Sequence, residues 1–421
     1  MVKIAVAQGG GPTAVINDTL LGILYQAGIQ GVNVIGIRNG LEGLLFNPDD
    51  SLEDITDFDP KRLTGVPGAI LGNTRYKIGE GDTESVLLAK AILEQNRIDV
   101  FLYIGGDDSA RVIQMLDGIH VAKTVDNNLL NNHHTPGFGS ACLTNAEMIK
   151  ALAWDLGSAT SRRTYGDRGV DFNTVPVVVY QAMGRGTGWL TYGSAFARLE
   201  QDGGINYDAA PNLFLPREVP FIQTELLDAV DNLLSGKGFV FIVVGEEIVN
   251  GDGVTLAKLY NAHESRDSFG HSQYGRSDSF STASAIAGII QHELCVEARA
   301  ADYGLKDSSF VPNHIQRSLL RSRVDAEEAF DVGRQAVLAA LDRESGISVG
   351  LQEVDGQIIP SRMPIGNIFS PGDREGRKME PRYLGGIEGP TQRFYDDFAY
   401  LVRDDLNHLP YSGHNLDLFK R

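Results

Sequence analysis

Two carboxylates side by side are the residues most suited to chemistry. Asp107 and Asp108 follow two glycines and precede Ser109 in the run Phe101-Leu102-Tyr103-Ile104-Gly105-Gly106-Asp107-Asp108-Ser109. The apolar opening reads as a buried strand delivering a glycine-rich turn. Adjacent negative charges at a strand end suit a metal-bound, phosphorylated ligand, because hard cations take carboxylate oxygens and share phosphate oxygens. A second group is Lys123-Thr124-Val125-Asp126-Asn127-Asn128. Lysine can neutralise a phosphoryl group, and aspartate can accept the proton of an attacking hydroxyl. Taken alone, this pair reads better as a charged surface loop. Gly9-Gly10-Gly11-Pro12-Thr13 could cradle phosphate against the free N–H groups of a following helix. It matches neither GxGxxG nor GxxxxGK[ST], and a tight turn without a ligand explains it as well. Arg75, after the glycine-rich stretch 65–74, is either a phosphate clamp or a solvated side chain. His133 and His134 have no third ligand at zinc spacing.

Composition narrows the partners. A formal net charge of −18 argues against a nucleic-acid surface, which is normally basic. No apolar run reaches the ~20 residues of a membrane span, and the chain opens on a strand without a leader pattern, so a cytoplasmic location is expected. The two cysteines, Cys142 and Cys295, form neither a CxxC pair nor a disulfide framework. With 421 residues there is material for two packed units, each with its own core.

The positioning elements follow from periodicity. A strand over 4–7 leads through the Gly9–Gly11 turn into a helix over 15–27 that Gly28 would stop. A strand over 32–37 follows, then a helix over 82–95, the strand ending at 104, and a helix over 109–116. Such alternation implies a parallel sheet with ligands at its carboxyl ends. The second half repeats the scheme. A strand over 175–180 leads to Met183-Gly184-Arg185-Gly186-Thr187-Gly188-Trp189, and one over 239–244 ends in Gly245-Glu246-Glu247. Asn313-His314-Ile315-Gln316-Arg317-Ser318 precedes a helix over 325–341 with Asp325 as its N-cap. Aromatic residues of the tail (Tyr383, Phe394, Tyr395, Phe398, Tyr400) would dock it on the body.

In this order the segments resemble the phosphofructokinases. The resemblance runs from Gly9-Gly10-Gly11-Pro12 through Gly105–Ser109, Lys123–Asn127, Thr135-Pro136-Gly137-Phe138-Gly139, Met183-Gly184-Arg185 and Gly245-Glu246 to His314-Ile315-Gln316-Arg317, over most of residues 1–345. The pyrophosphate-dependent branch is the more similar, since ATP-using members have glycine at the positions of Asp108 and Lys123. A carboxylate at 108 would crowd and repel a nucleotide's α-phosphate, and Lys123 adds positive charge where a smaller donor would lie.

The resemblance implies an α/β fold of two Rossmann-like three-layer domains with mostly parallel sheets, a cleft between them and a C-terminal extension. Residues 1–140 with 318–360 would hold the donor, 141–317 the acceptor, and 361–421 would form the extension. It further implies Mg²⁺-dependent phosphoryl transfer from pyrophosphate to the 1-hydroxyl of fructose 6-phosphate by a homodimer or homotetramer. Asp126 would be the general base, assisted by Lys123 and Arg185, and Asp107 would hold the metal. Gly10, Gly11, Arg75, Asp108, Ser109 and Lys123 would surround the donor. Thr124, Asp126, Met183, Gly184, Arg185, Glu246, His314 and Arg317 would contact the sugar phosphate. The chain departs from the family pattern at Asn128, where a second aspartate is usual, at Asn132-His133, usually a threonine–aspartate pair, and at Pro176 and Ser308, where many relatives have arginine. A different sugar, polyol or nucleoside acceptor, or a non-catalytic regulatory role, therefore stays open.

Overall fold

A computed structural model of the chain describes residues 2–74, 76–79, 81–158, 160–162, 171–173, 176–259, 281–294, 309–310, 312–369 and 376–407. The chain forms two compact units: Met1–Ala141 with Arg317–Arg377, and Cys142–Gln316 with Lys378–Arg421. Residues 361–377 thus go with the first unit and the rest of the tail with the second.

The first unit is built on a seven-stranded sheet. From one edge its order is Gln357–Pro364, Ile347–Val354, Ile119–Ala122, Val100–Gly105, Lys3–Gln8, Asn33–Ile37, Leu52–Asp54. The five central strands run parallel and each edge strand is antiparallel to its neighbour. The central strands are almost continuously apolar because helices cover both faces. Ile4, Val6, Leu102 and Ile104 pack on the helices Ile16–Gln30 and Arg323–Leu341. Ala5, Ala7, Phe101 and Tyr103 face the helices Thr83–Gln95 and Asp107–Leu116. The chain leaves Lys3–Gln8 toward one side of the sheet and returns on the other at Val100–Gly105, the reversal at which doubly wound folds open a ligand crevice. The pairings Gln8 with Ile104 and Gly105 with Ala122 bring three strand ends level. The turns after Gln8, Gly105 and Ala122 therefore emerge side by side, about 5 Å apart.

Three local expectations change. The first helix runs through Gly28 to Gln30 and stops at Gly31, whose φ of 65° is the left-handed turn a helix C-terminus uses. Gly28 merely costs helix stability. Asp107 and Asp108 lie in the first turn of the helix Asp107–Leu116 rather than before it, where carboxylates favour the positive end of the helix dipole. Asp325 is not an N-cap. Ser322 caps the helix Arg323–Leu341, its hydroxyl accepting from Asp325 N at 3.3 Å. The fully buried Asp325 carboxylate instead accepts from Gly137 N at 2.8 Å and Ser140 N at 2.9 Å, so it caps the helix Phe138–Ser158.

The second unit has a four-stranded parallel sheet in the order Ser309–Phe310, Val177–Ala182, Val240–Gly245, Leu213–Leu215. Tyr383, Phe394, Tyr395 and Phe398 of the tail are buried in it, as expected of a docked segment. No helix among the described residues is long and apolar enough to cross a membrane.

Candidate active site

At the carboxyl ends of the first sheet, the Gly9–Gly11 loop folds over a buried cation. Lys123 Nζ donates to Gly9 O at 2.9 Å and Gly11 O at 2.8 Å, and the side chain is 3% exposed. Gly10 takes φ 69°, which aims both flanking carbonyls at the ammonium and suits only glycine without strain. The Lys123 pKa falls to about 7, chiefly through burial and then through the charge of Arg317, with the charge of Asp126 opposing both. Arg317 packs over the loop, since a Cβ at Gly11 would lie 2.8 Å from its Cζ. Lys123, Asp126, Arg317 and the Gly9–Gly11 backbone therefore share one locus.

Asp126 is placed by its own segment. Its N–H donates to Thr124 Oγ1 at 3.2 Å. Thr124 N in turn donates to Pro136 O at 3.2 Å, and Thr135 Oγ1 donates to Thr124 O at 2.8 Å. The Thr135–Gly137 turn thus clasps the backbone that carries Asp126, and Asp325 clasps that turn from behind. Asn127, at φ 52°, is buried with neither side-chain polar atom hydrogen-bonded.

The acids occupy the neighbouring turn. Lys123 N donates to Gly105 O at 3.0 Å, and a Cβ on Gly106 would touch Lys123 O and Thr124 Cβ at 3.8 Å. Gly105 admits no side chain, because a Cβ would sit 2.0 Å from Ser109 Oγ. The pKa of Asp107 is raised by burial and then by the Asp108 charge, with partial relief from its Asp108 backbone hydrogen bond and from Arg111 and Lys77. Asp108 is half exposed and meets Lys77 Nζ at 2.6 Å. Ser109 is buried, and its hydroxyl bonds to Tyr103. The two adjacent acids lack full compensation, a setting that a divalent cation would relieve. No group of three His, Cys, Asp or Glu side chains converges among the described residues.

The second unit gathers its own set. Met183 N donates to Gln316 Oε1 at 2.9 Å, and Gln316 Nε2 donates to Gln181 O at 3.2 Å. Gly184, at φ 121°, turns the backbone so that the exposed Arg185 projects from it. Glu246 follows the strand Val240–Gly245, its carbonyl accepting from Thr282 Oγ1 at 2.6 Å, and the exposed His314 lies in the short helix Asn313–Arg317. Arg75 and Ser308 lie outside the described residues. Pro176 is buried, and its carbonyl accepts from Val240 N.

Sequence reasoning missed Lys77, Gln316 and Asn73, whose Nδ2 donates to Gly10 O. Gln316 stood inside a quoted motif, between two residues given roles. Lys77 and Asn73 flank Arg75, in a segment read only for its arginine.

A doubly wound sheet that presents a glycine loop, paired acids and a buried lysine at its carboxyl ends defines a phosphoryl-handling α/β protein. The family model described as Phosphofructokinase matches residues 3–340, and the chain belongs to that family. A pyrophosphate–fructose 6-phosphate 1-phosphotransferase of Xanthomonas campestris pv. campestris is 31% identical over 95% of this chain and 91% of its own length. A sulfofructose kinase of Alkalicoccus urumqiensis is 26% identical over 92% and 95%. Among solved structures, a pyrophosphate-dependent phosphofructokinase from Marinobacter aquaeolei shares the fold, with a TM-score of 0.73 and 22% identity over 98% of this chain and 94% of that one.

Proposed function

We propose that this chain transfers a phosphoryl group from pyrophosphate to the 1-hydroxyl of fructose 6-phosphate, with Asp126 as general base. The observation that carries the donor assignment is Lys123. Its ammonium has three N–H donors, and two are spent on Gly9 O and Gly11 O. The third is available to a phosphate oxygen, and Arg317 adds charge at the same loop. Asp108 puts a carboxylate one residue beyond the other acid, a poor neighbour for a nucleotide's further phosphate. The relative from Xanthomonas campestris supports the same donor and acceptor.

Mg²⁺, held by Asp107 with or without Asp108, would neutralise donor charge and bind its phosphate oxygens. The chain's own residues do the rest. The Gly9–Gly11 loop and Lys123 hold the donor, and Ser109 shapes the turn beneath it. Thr124 fixes the backbone so that Asp126 can take the hydroxyl proton. Met183, Gly184, Arg185, Glu246, His314 and Arg317 bind the sugar phosphate. Catalysis is chiefly positioning and charge neutralisation, with general-base help.

The test is an activity matrix of pyrophosphate and ATP against a panel of acceptors, with and without Mg²⁺. Pyrophosphate-dependent, Mg²⁺-dependent turnover of fructose 6-phosphate is expected. Turnover with ATP alone overturns the donor assignment.

A second reading keeps the donor and changes the acceptor. One relative is named a sulfofructose kinase, and the resemblance to the phosphofructokinases implies an arginine where this chain has Pro176. A panel that finds sulfofructose or another acceptor preferred over fructose 6-phosphate supports it.

A further inference from the structure

Within the second unit, the loop from Met183 to Gly188 is pinned at both ends. At its start Met183 N donates to Gln316 Oε1. At its end one carboxylate does two tasks: Glu218 Oε1 accepts from Gly188 N at 3.1 Å and from Met379 N at 3.1 Å. Gly188 is in the loop, and Met379 opens the tail segment of the unit. Glu218 Oε2 is buried without a hydrogen-bond partner and would lie 2.5 Å from a Cβ on Gly188. The fit is therefore tight enough to exclude any side chain there.

The next residue, Trp189, is fully buried and enclosed by the tail. Its ring centroid lies 5.7 Å from Tyr383, 6.3 Å from Phe394 and 5.6 Å from Phe398. Edge-to-face and offset pairs at such distances add to simple burial. Tyr192, three residues on, donates its hydroxyl to Gly386 O at 2.8 Å. The tail thus grips the loop's anchor through one carboxylate, three aromatic rings and a hydroxyl.

We infer that Glu218 is a positioning residue, and that it makes the tail segment part of the frame that fixes the acceptor loop. The inference rests on the proposed function only in taking Met183, Gly184 and Arg185 as acceptor contacts. Glu218 acts by holding Gly188 N and Met379 N on a single oxygen, so the loop's position follows the tail's.

The experiment compares Glu218→Ala, Glu218→Gln and wild type. Glutamine keeps an Oε1 that can accept both N–H groups; alanine does not. For the preferred acceptor, E218A should raise KM tenfold or more while the donor KM stays within twofold, and E218Q should restore the acceptor KM to within threefold. Amide hydrogen exchange over residues 183–190, read without substrate, should quicken at least tenfold in E218A and return in E218Q. A gentler variant, Phe398→Leu, should shift the same two readings in the same direction should E218A fail to fold. Unchanged exchange in the loop, an acceptor KM within twofold of wild type, or equal rises in donor and acceptor KM overturns the inference. Absence of any phosphoryl transfer by the wild type sinks the functional reading instead, and hydrogen exchange alone then decides the role of Glu218.

Discussion

Lys123→Met is the most informative change to the first unit. In the free protein the Lys123 ammonium is buried and its pKa falls from 10.5 to about 7. At ~1.4 kcal/mol per pH unit, holding the charge there costs roughly 5 kcal/mol. A diphosphate bound against the third N–H reverses the balance, because an opposite charge favours the ionised form. At pH 8 most of the free protein carries a neutral amine, so donor binding should take up close to one proton. Donor affinity should fall about tenfold per pH unit above 7. Calorimetric titration with pyrophosphate and Mg²⁺ in two buffers of different ionisation heat counts the protons, and the donor's own protonation cancels when wild type is compared with Lys123→Met. The variant should show about one proton fewer and bind ~10–100-fold more weakly, the scale of a lost charge-assisted hydrogen bond. Equal proton counts, or equal donor affinity, would refute the placement of the donor beside Lys123. Stability follows the same sign. Between pH 7 and 10.5 the unfolded lysine holds a proton that the folded one has released, so this residue's contribution rises with pH across that window and vanishes in the methionine variant.

Three further outcomes follow from contacts already described. Asp126→Asn should lower kcat about 10²–10⁴-fold with little change in either KM, the usual weight of a general base; a loss confined to KM contradicts that role. Asp325, held up to about 6 by burial despite its hydrogen bonds to Ser140 and Gly137, keeps a proton between pH 3.8 and about 6 that the unfolded chain has lost. Its contribution to stability should therefore fall as pH rises through that window, and denaturation of Asp325→Asn should lack this component; identical pH slopes would disprove it. Phe394→Ala should cost about 3–5 kcal/mol by opening a cavity beside Trp189, read as a lower unfolding midpoint in tryptophan fluorescence.

Local features of this fold were legible where they depend on neighbours in sequence. Apolar runs ending in glycine marked the strands, and the glycine turns marked their carboxyl ends. What brought the turns after Gln8, Gly105 and Ala122 together was strand order, which pattern alone does not encode. The stop at Gly31 rather than Gly28 turns on which glycine is driven left-handed, a property of the helix end and not of residue type. The task of Asp325 was invisible for a plainer reason. Its targets, Gly137 and Ser140, lie 188 and 185 residues away, so a good local cap sequence pointed to the wrong helix. Lys77 is similar: nothing near it in the chain announces a carboxylate partner at 108.

The interrupted make-up of the first unit bears on how a ribosome releases it. The strand Ile119–Ala122 keeps one unpaired side until Ile347–Val354 has been made, and the helix Ile16–Gln30 waits for Arg323–Leu341. A nascent chain stalled near residue 316 would carry an open parallel edge and a bare apolar helix stripe, both prone to self-association. Demand for chaperone assistance should therefore persist through about three-quarters of translation and end only when the returning segment emerges.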